Sequence, residues 1–414
     1  MAPTLSVDAK ATLDGLLADA IAESRVPGVF FAAATAEGEL YSGSAGLKSF
    51  QDPAAGAVDA DSVFWICSMT KLVVTVAIIQ LIERGAIGYD TPVDTVIPEL
   101  ANPLVVDDAL AREYTYKPAQ TKILVRHLLN HSSGLHYYPA HWKASPYDLG
   151  RAYNGVSYEG DHSPAKFFEL IRNGLPGVPL AFEPGTSWAY GWNCDIVALI
   201  VERLTHQTIE EYCKEQIFGP IGMPSTTFLL TESAKKNLVK LAYRRKDGQV
   251  EKWSGQLRLI EQDPEKVGIM LGGIGIYSNL PDYLSFLRHI LLAKDGRASS
   301  PILSAPSASA LFAPSLPAHF SAQIEQFTQW PDCNFGYGLC LANSDWAGKR
   351  RKGSGFWYGW AGTYYFMDPA TGIAVVYGTQ VVPTTDVEVV ALWDRLERAL
   401  YAGLTSGGTS SSIN

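Results

Sequence analysis

Val63-Phe64-Trp65-Ile66-Cys67-Ser68-Met69-Thr70-Lys71-Leu72-Val73-Val74-Thr75-Val76-Ala77-Ile78-Ile79-Gln80-Leu81-Ile82-Glu83 is the stretch on which the fold turns. Its first five residues are an apolar, strand-like run. Leu72 to Glu83 is apolar on nearly every face and Gly85 follows as a stop signal, so the reading is a buried helix rather than a surface one. Between the two lies Ser68-Met69-Thr70-Lys71, whose spacing puts the lysine about one helical turn after the serine. The hydroxyl then stands at the N-terminus of a core helix, where backbone N–H groups and the helix dipole favour developing negative charge. A partly desolvated lysine there can have its pKa lowered enough to help take the serine proton. The plain alternative is an N-cap serine with a lysine snorkelling to the surface. Ser-x-x-Lys also occurs at Ser163–Lys166 and Ser233–Lys236, in polar surroundings that read as helix starts with solvated lysines.

Upstream, Val7 to Ser24 reads as a helix and Val29 to Ala34 as a buried strand. Glu37-Gly38 then turns the chain into a hairpin with Glu39 to Gly43. From Thr91 to Phe218 the pattern changes to short helices, including Arg126–Asn130, Pro164–Asn173 and Asp195–Leu204. Near the end, Gly362–Pro369 and Gly372–Thr379 form a second hairpin, followed by a helix from Asp386 to Tyr401. Strands at both ends with helices in the middle predict an α/β (α+β) fold. A discontinuous sheet domain (1–97 and 216–414) would carry an inserted, mostly helical domain (98–215). The Gly/Ser/Thr tail, 403–414, reads as disordered.

The 414 residues carry 33 Lys plus Arg against 42 Asp plus Glu, a net charge of −9. That field disfavours nucleic acid and anionic membrane as partners. The longest apolar run is well short of the ~20 residues that cross a bilayer. Met1-Ala2-Pro3-Thr4 lacks the pattern of a secretory signal, and five cysteines without a Cys-x-x-Cys pair suit reduced thiols; both predict a cytoplasmic protein. Gly-x-Ser-x-Gly, His-Glu-x-x-His, P-loop and Gly-x-Gly-x-x-Gly motifs are missing, so chemistry without a cofactor is expected. His127 and His131 have the spacing of two metal ligands. No Glu lies between them and Ser132-Ser133-Gly134 follows, so packing and helix termination explain them and no metal site is assigned. Lys349-Arg350-Arg351-Lys352 reads as a solvated loop.

Ser68-Met69-Thr70-Lys71 resembles the first active-site motif of the serine beta-lactamase and penicillin-binding-protein superfamily, in particular its class C, esterase and fungal lovastatin-type transesterase branches. Other segments resemble that group in the same order along the chain. They are His127-Leu128-Leu129-Asn130-His131-Ser132-Ser133-Gly134-Leu135, Phe182 to Tyr190, Ile217 to Met223, Gly272-Gly273-Ile274-Gly275 with Asp282-Tyr283, Phe335 to Leu339, and Gly359 to Thr363 ahead of Asp368-Pro369. The resemblance implies a beta-lactamase/transpeptidase-like fold, with a central antiparallel sheet flanked by helices. It also implies a second base, a tyrosine, for which Tyr190 and Tyr277 compete. Tyr277-Ser278-Asn279 spells the class C form, whereas Tyr190-Gly191-Trp192-Asn193 follows the Pro-Gly-Thr-x-Trp segment and precedes an amphipathic helix. Tyr190 is preferred.

Where beta-lactamases have a cation in the third motif, this chain has Trp360-Ala361-Gly362. That disfavours beta-lactamase or peptidase activity and points to neutral esters or thioesters. The expected enzyme is a serine carboxylesterase with Ser68, Lys71 and Tyr190 as catalytic residues; the alternative is an acyltransferase that delivers the acyl group to an alcohol. A binding protein on this fold is the reading from outside enzymology. The resemblance puts the oxyanion on the backbone N–H groups of Ser68 and Thr363. Asn193 is expected to orient substrate or Lys71. Trp192, Trp357, Tyr358 and Trp360, with Ala361 and Gly362, are expected to line the pocket for a small-molecule ester. Oligomeric state is not legible.

Overall fold

The computed structural model describes residues 2–108, 115–137, 163–172, 174–253 and 261–405. Helix α1 (Val7–Ala22) begins on Ser6, whose hydroxyl accepts from Ala9 N–H, and buries Ala9, Leu13, Leu17 and Ala20 along one stripe. Strand β1 (Gly28–Thr35) is buried at every position. A hairpin leads to β2 (Glu39–Gly46). Next come α2 (Thr70–Glu83), α3 (Asn193–Thr205) and α4 (Leu280–Lys294). Strands β3 (Cys333–Phe335), β4 (Cys340–Ala342), β5 (Gly355–Gly359), β6 (Thr363–Asp368) and β7 (Ile373–Gly378) follow, and α5 (Val387–Gly403) closes the chain.

Seven strands form one antiparallel sheet in the order β3-β4-β5-β6-β7-β1-β2. The C-terminal hairpin thus pairs with the N-terminal one, Ile373 opposite Thr35 and Gly378 opposite Phe30. Because side chains alternate across a strand, β6 sends Tyr365 to one face and Tyr364 and Phe366 to the other. Helices α1 and α5 pack together on the second face, where Trp393 meets Phe31, Tyr364, Phe366 and Tyr377. On the first face α4 brings Tyr283 against Tyr365, ring centroids 5.4 Å apart.

Helix α2 packs against α3, and Thr70 through Leu81 are buried without a break. Burying an aliphatic side chain is worth about 1.5–3 kcal/mol relative to exposure. Seven of them, Leu72, Val73, Val74, Val76, Ile78, Ile79 and Leu81, outweigh the several kcal/mol that burying one cation costs, so Lys71 is drawn inside with the helix.

Three expectations change. The middle region holds helices Val125–Leu129, Pro164–Arg172 and α3, but also a small sheet in which Leu104–Val106 pairs with Tyr116–Pro118 and Pro179–Leu180. Leu404–Thr405 pairs with Thr4–Leu5, so the tail starts inside the fold, and 406–414 lie outside the described residues. The basic run is not wholly a solvated loop. Arg350 is buried, donates to both carboxylate oxygens of Glu397 at 2.9 and 2.7 Å, and lies over the rings of Trp346, Phe356, Phe366 and Trp393. A charge pattern does not reveal a buried partner 47 residues downstream.

Candidate active site

The strand Val63–Trp65 runs into a one-turn helix, Cys67–Met69, that opens onto α2. Cys67 has φ +48°, a left-handed conformation rare for a residue with a side chain, and the bend it makes presents Ser68. The Cys67 thiol donates to Trp65 O at 3.5 Å. Strands β5 and β6 pack against this short helix. Their close approach requires glycine at 359, where a Cβ would stand 2.4 Å from Ile66 O. Gly362, with φ +71°, completes the three-residue connection. Thr363, the first residue of β6, approaches Ile66 O through its hydroxyl at 3.4 Å.

Lys71 Nζ donates to Ser68 Oγ at 3.1 Å, to Tyr137 Oη at 3.3 Å and to Gly273 O at 2.8 Å. Three acceptors match the three N–H donors of an ammonium. Lys71 Nζ lies 4.6 Å from the centre of the Tyr190 ring. Burial pushes the Tyr190 phenol well above its ordinary value, while its hydrogen bonds with Ser68 and Trp357 pull it partly back. Trp357 Nε1–H donates to Tyr190 Oη at 3.0 Å. Tyr277, the competing tyrosine, is fully buried in the short strand Tyr277–Asn279, opposite Trp65.

Behind the tyrosine two loops are zipped together: Ala189 N–H donates to His131 O, Gly185 N–H to Ser132 O and Tyr137 N–H to Tyr190 O. Asn193 does not reach Lys71. Its amide oxygen accepts from Ser133 Oγ at 2.5 Å and its nitrogen donates to His131 Nδ1 at 2.9 Å, so it anchors the loop that delivers Tyr137. His131 is held well below its ordinary pKa by burial and by the charge of Lys71. His127 Nδ1 accepts from Leu124 N–H, a helix-start contact.

The predicted aromatic lining divides. Trp357 stands beside Tyr190, ring centroids 5.1 Å apart. Tyr358, the next residue on β5, stacks on Tyr364, and its ring lies 5.3 Å from that of Trp357. Trp192 is buried behind Tyr137, edge-on at 4.7 Å, and Trp360 packs between Trp65 and Trp253. Ala361 is fully buried in the turn.

Four contributors escaped the sequence reading. Tyr137 had no motif of its own. The Gly273 carbonyl is a backbone group, and Asp195 acts through it by accepting from Gly273 N–H at 2.8 Å. Phe327, on the helix Ser321–Thr328, is 45% exposed and stands 5.0 Å from the Tyr190 ring. The other two Ser-x-x-Lys motifs are helix starts. Ser163 Oγ accepts from Lys166 N–H, while Thr231, not Ser233, caps the second helix.

A serine at a helix start, a lysine one turn later and a tyrosine from a neighbouring loop, beside an antiparallel sheet, define the class of penicillin-recognising and related serine enzymes. The family model described as Beta-lactamase matches residues 13–399, and the chain belongs to that family. It is 28% identical over 413 residues to monacolin J acid methylbutanoyltransferase of Aspergillus terreus, covering 94% of both chains. It is 27% identical over 383 residues to esterase EstB of Burkholderia gladioli, covering 88% of this chain and 89% of that one. The unliganded structure of simvastatin synthase (LovD) from Aspergillus terreus superposes with a TM-score of 0.79 at 24% identity, covering 96% of this chain and 99% of that one, a likeness of fold. The protein is an enzyme of the serine hydrolase and acyltransferase type. No helix among the described residues is long and apolar enough to cross a membrane.

Proposed function

We propose that the protein is a serine carboxylesterase that works through an acyl-enzyme on Ser68. The observation that carries this reading is the placement of Lys71 Nζ, 3.1 Å from Ser68 Oγ and 4.6 Å from the centre of the Tyr190 ring. Ser68 Oγ attacks the ester carbonyl and its proton passes to the Lys71–Tyr190 pair. The oxyanion forms against the backbone N–H groups of Ser68 and Thr363, each worth about 3 kcal/mol in such a site. Tyr190 then protonates the departing alcohol and the acyl group stays on Ser68. Water bound in the alcohol's place reverses the proton path and releases the acid.

The resemblance of Trp360-Ala361-Gly362 to the third motif, with an indole in place of the cation, supports neutral esters or thioesters as substrates; Trp360 packs between Trp65 and Trp253. The five buried, free cysteines support a cytoplasmic location. A second reading is favoured by the similarity to a methylbutanoyltransferase over 94% of both chains: an alcohol, rather than water, removes the acyl group.

The test is intact-protein mass spectrometry after brief exposure to p-nitrophenyl butyrate, with peptide mapping and a Ser68→Ala control. An acyl adduct on Ser68 with steady nitrophenolate release supports the esterase. Faster release on adding alcohols, with new ester formed, moves the reading to acyltransferase. No adduct and no release with short or long acyl esters and thioesters would overturn both.

A further inference from the structure

Asp195 is a buried carboxylate in the first turn of α3 that the proposed reaction does not use. We propose that Asp195 is a positioning residue: through Gly273 it fixes the place of Lys71, and its negative charge strengthens the hold of the Lys71–Tyr190 pair on the proton taken from Ser68. The inference rests on the acyl-enzyme reading above and deepens it.

The link consists of two hydrogen bonds made by one residue. Gly273 N–H donates to Asp195 Oδ1 at 2.8 Å, and Gly273 O accepts from Lys71 Nζ at 2.8 Å. Standard backbone dimensions then put Nζ within about 9 Å of the carboxylate oxygen. The loop lies directly on α3, because a Cβ at Gly272 would stand 2.2 Å from Cys194 O and 2.8 Å from Ala198 Cβ. A helix N-terminus favours an anion at this place.

Lys71 donates to a hydroxyl, a phenol and a carbonyl, and none of these is a carboxylate. A buried ammonium is costly without an anion, and Asp195 supplies one at second remove. The titratable groups facing Lys71 from the elements around it are Tyr137, Tyr190, His131, Cys67 and Cys194. Burial pushes both thiols up and His131 down. Burial also raises the Tyr190 phenol, and the charge of Asp195 adds to that rise. Unit charges about 9 Å apart, at an effective dielectric of about 20, interact by the equivalent of about one pH unit. Removing the anion weakens the hold on a proton at Lys71 and at Tyr190 alike. The pair then reaches its basic form at lower pH but is the weaker base.

The experiment compares Asp195→Asn, which keeps an acceptor for Gly273 N–H and removes the charge, with Asp195→Glu, which keeps the charge. The pH dependence of Ser68 acylation by p-nitrophenyl butyrate is the readout. In Asp195→Asn the limb on which the rate rises with pH should move down by about one unit. The plateau above it should fall about 3- to 10-fold, with KM within twofold. Asp195→Glu should acylate more slowly with its limb at the wild-type pH. A loss of positioning alone lowers the rate and leaves the limb where it was. An unshifted or raised limb in folded Asp195→Asn, or a limb in Asp195→Glu that moves down as far as in Asp195→Asn, would overturn the proposal. Carbon-13 NMR of aspartate-labelled wild-type enzyme needs no variant to fold: an ionised Asp195 at pH 7 is expected, and a protonated one overturns the proposal. Those outcomes leave the Ser68 adduct of the wild-type enzyme intact, whereas absence of that adduct overturns the acyl-enzyme reading and this inference with it.

Discussion

Gly191 immediately follows Tyr190, and a single methyl group there tests the site's construction. A Cβ on Gly191 would lie 2.4 Å from Leu135 O, 2.4 Å from His136 Cα and 2.6 Å from His136 N, whereas real Cβ contacts essentially never fall below 3.0 Å. All three obstacles are backbone, so no side chain can swing away, and the loops carrying Tyr190 and Tyr137 must separate by about 0.6 Å. Overpacking of this kind costs about 1–3 kcal/mol. Misplacing catalytic groups by about 1 Å can cost 100-fold in rate, so Gly191→Ala should lower kcat/KM by roughly 10- to 100-fold. The assay is p-nitrophenyl butyrate turnover together with the rate of Ser68 acylation and a thermal melt. Gly15→Ala in α1 is the control, because nothing lies within 4 Å of the added methyl. A folded Gly191→Ala enzyme with kcat/KM within threefold of wild type would refute the argument that this loop contact sets Tyr190.

Tyr190→Phe should abolish turnover and Tyr277→Phe should not, as single-turnover kinetics would show; the opposite pattern would exchange their roles. Tyr137→Phe removes one acceptor from Lys71 and should slow acylation about 10-fold with the fold intact, which stopped-flow acylation measures. Phe327→Ala should raise KM for esters with bulky acyl or alcohol groups several-fold more than for ethyl acetate, because an exposed ring beside Tyr190 can contact only a substrate that extends that far. Arg350→Met would leave the buried Glu397 with only Lys349, 3.8 Å away, in place of its two-pronged guanidinium partner and should cost about 3 kcal/mol of stability by chemical denaturation. Burial pushes Glu397 up, but the charge and hydrogen bonds of Arg350, with Lys349, outweigh it and hold its pKa below the ordinary value. Its folded-state pKa is thus depressed, so its contribution is present above the ordinary carboxylate value near about 4.3 and is lost as pH falls below it. Stability titrated from pH 7 to 3 checks this, and Arg350→Met should flatten the acid limb.

The sequence by itself determined the elements that local physics dictates. The apolarity of Leu72–Leu81 on nearly every face, interrupted only by Thr75 and Gln80, demanded a buried helix, and the serine and lysine one turn apart at its head followed from spacing alone. Both hairpins were legible because turn residues separate apolar runs. The family resemblance added the order of the motifs and the preference for Tyr190 over Tyr277. What the tertiary structure decided are contacts between residues far apart in the chain. Asn193 spends its amide on Ser133 and His131, 60 and 62 residues away, and Arg350 is buried by Glu397. Trp357 and Tyr358 are neighbours of equal promise in the sequence and their rings lie 5.3 Å apart, but Trp357 meets Tyr190 whereas Tyr358 stacks on Tyr364. Which aromatic side chain could meet Tyr190 was set by the packing of the sheet against the loops, not by either residue alone.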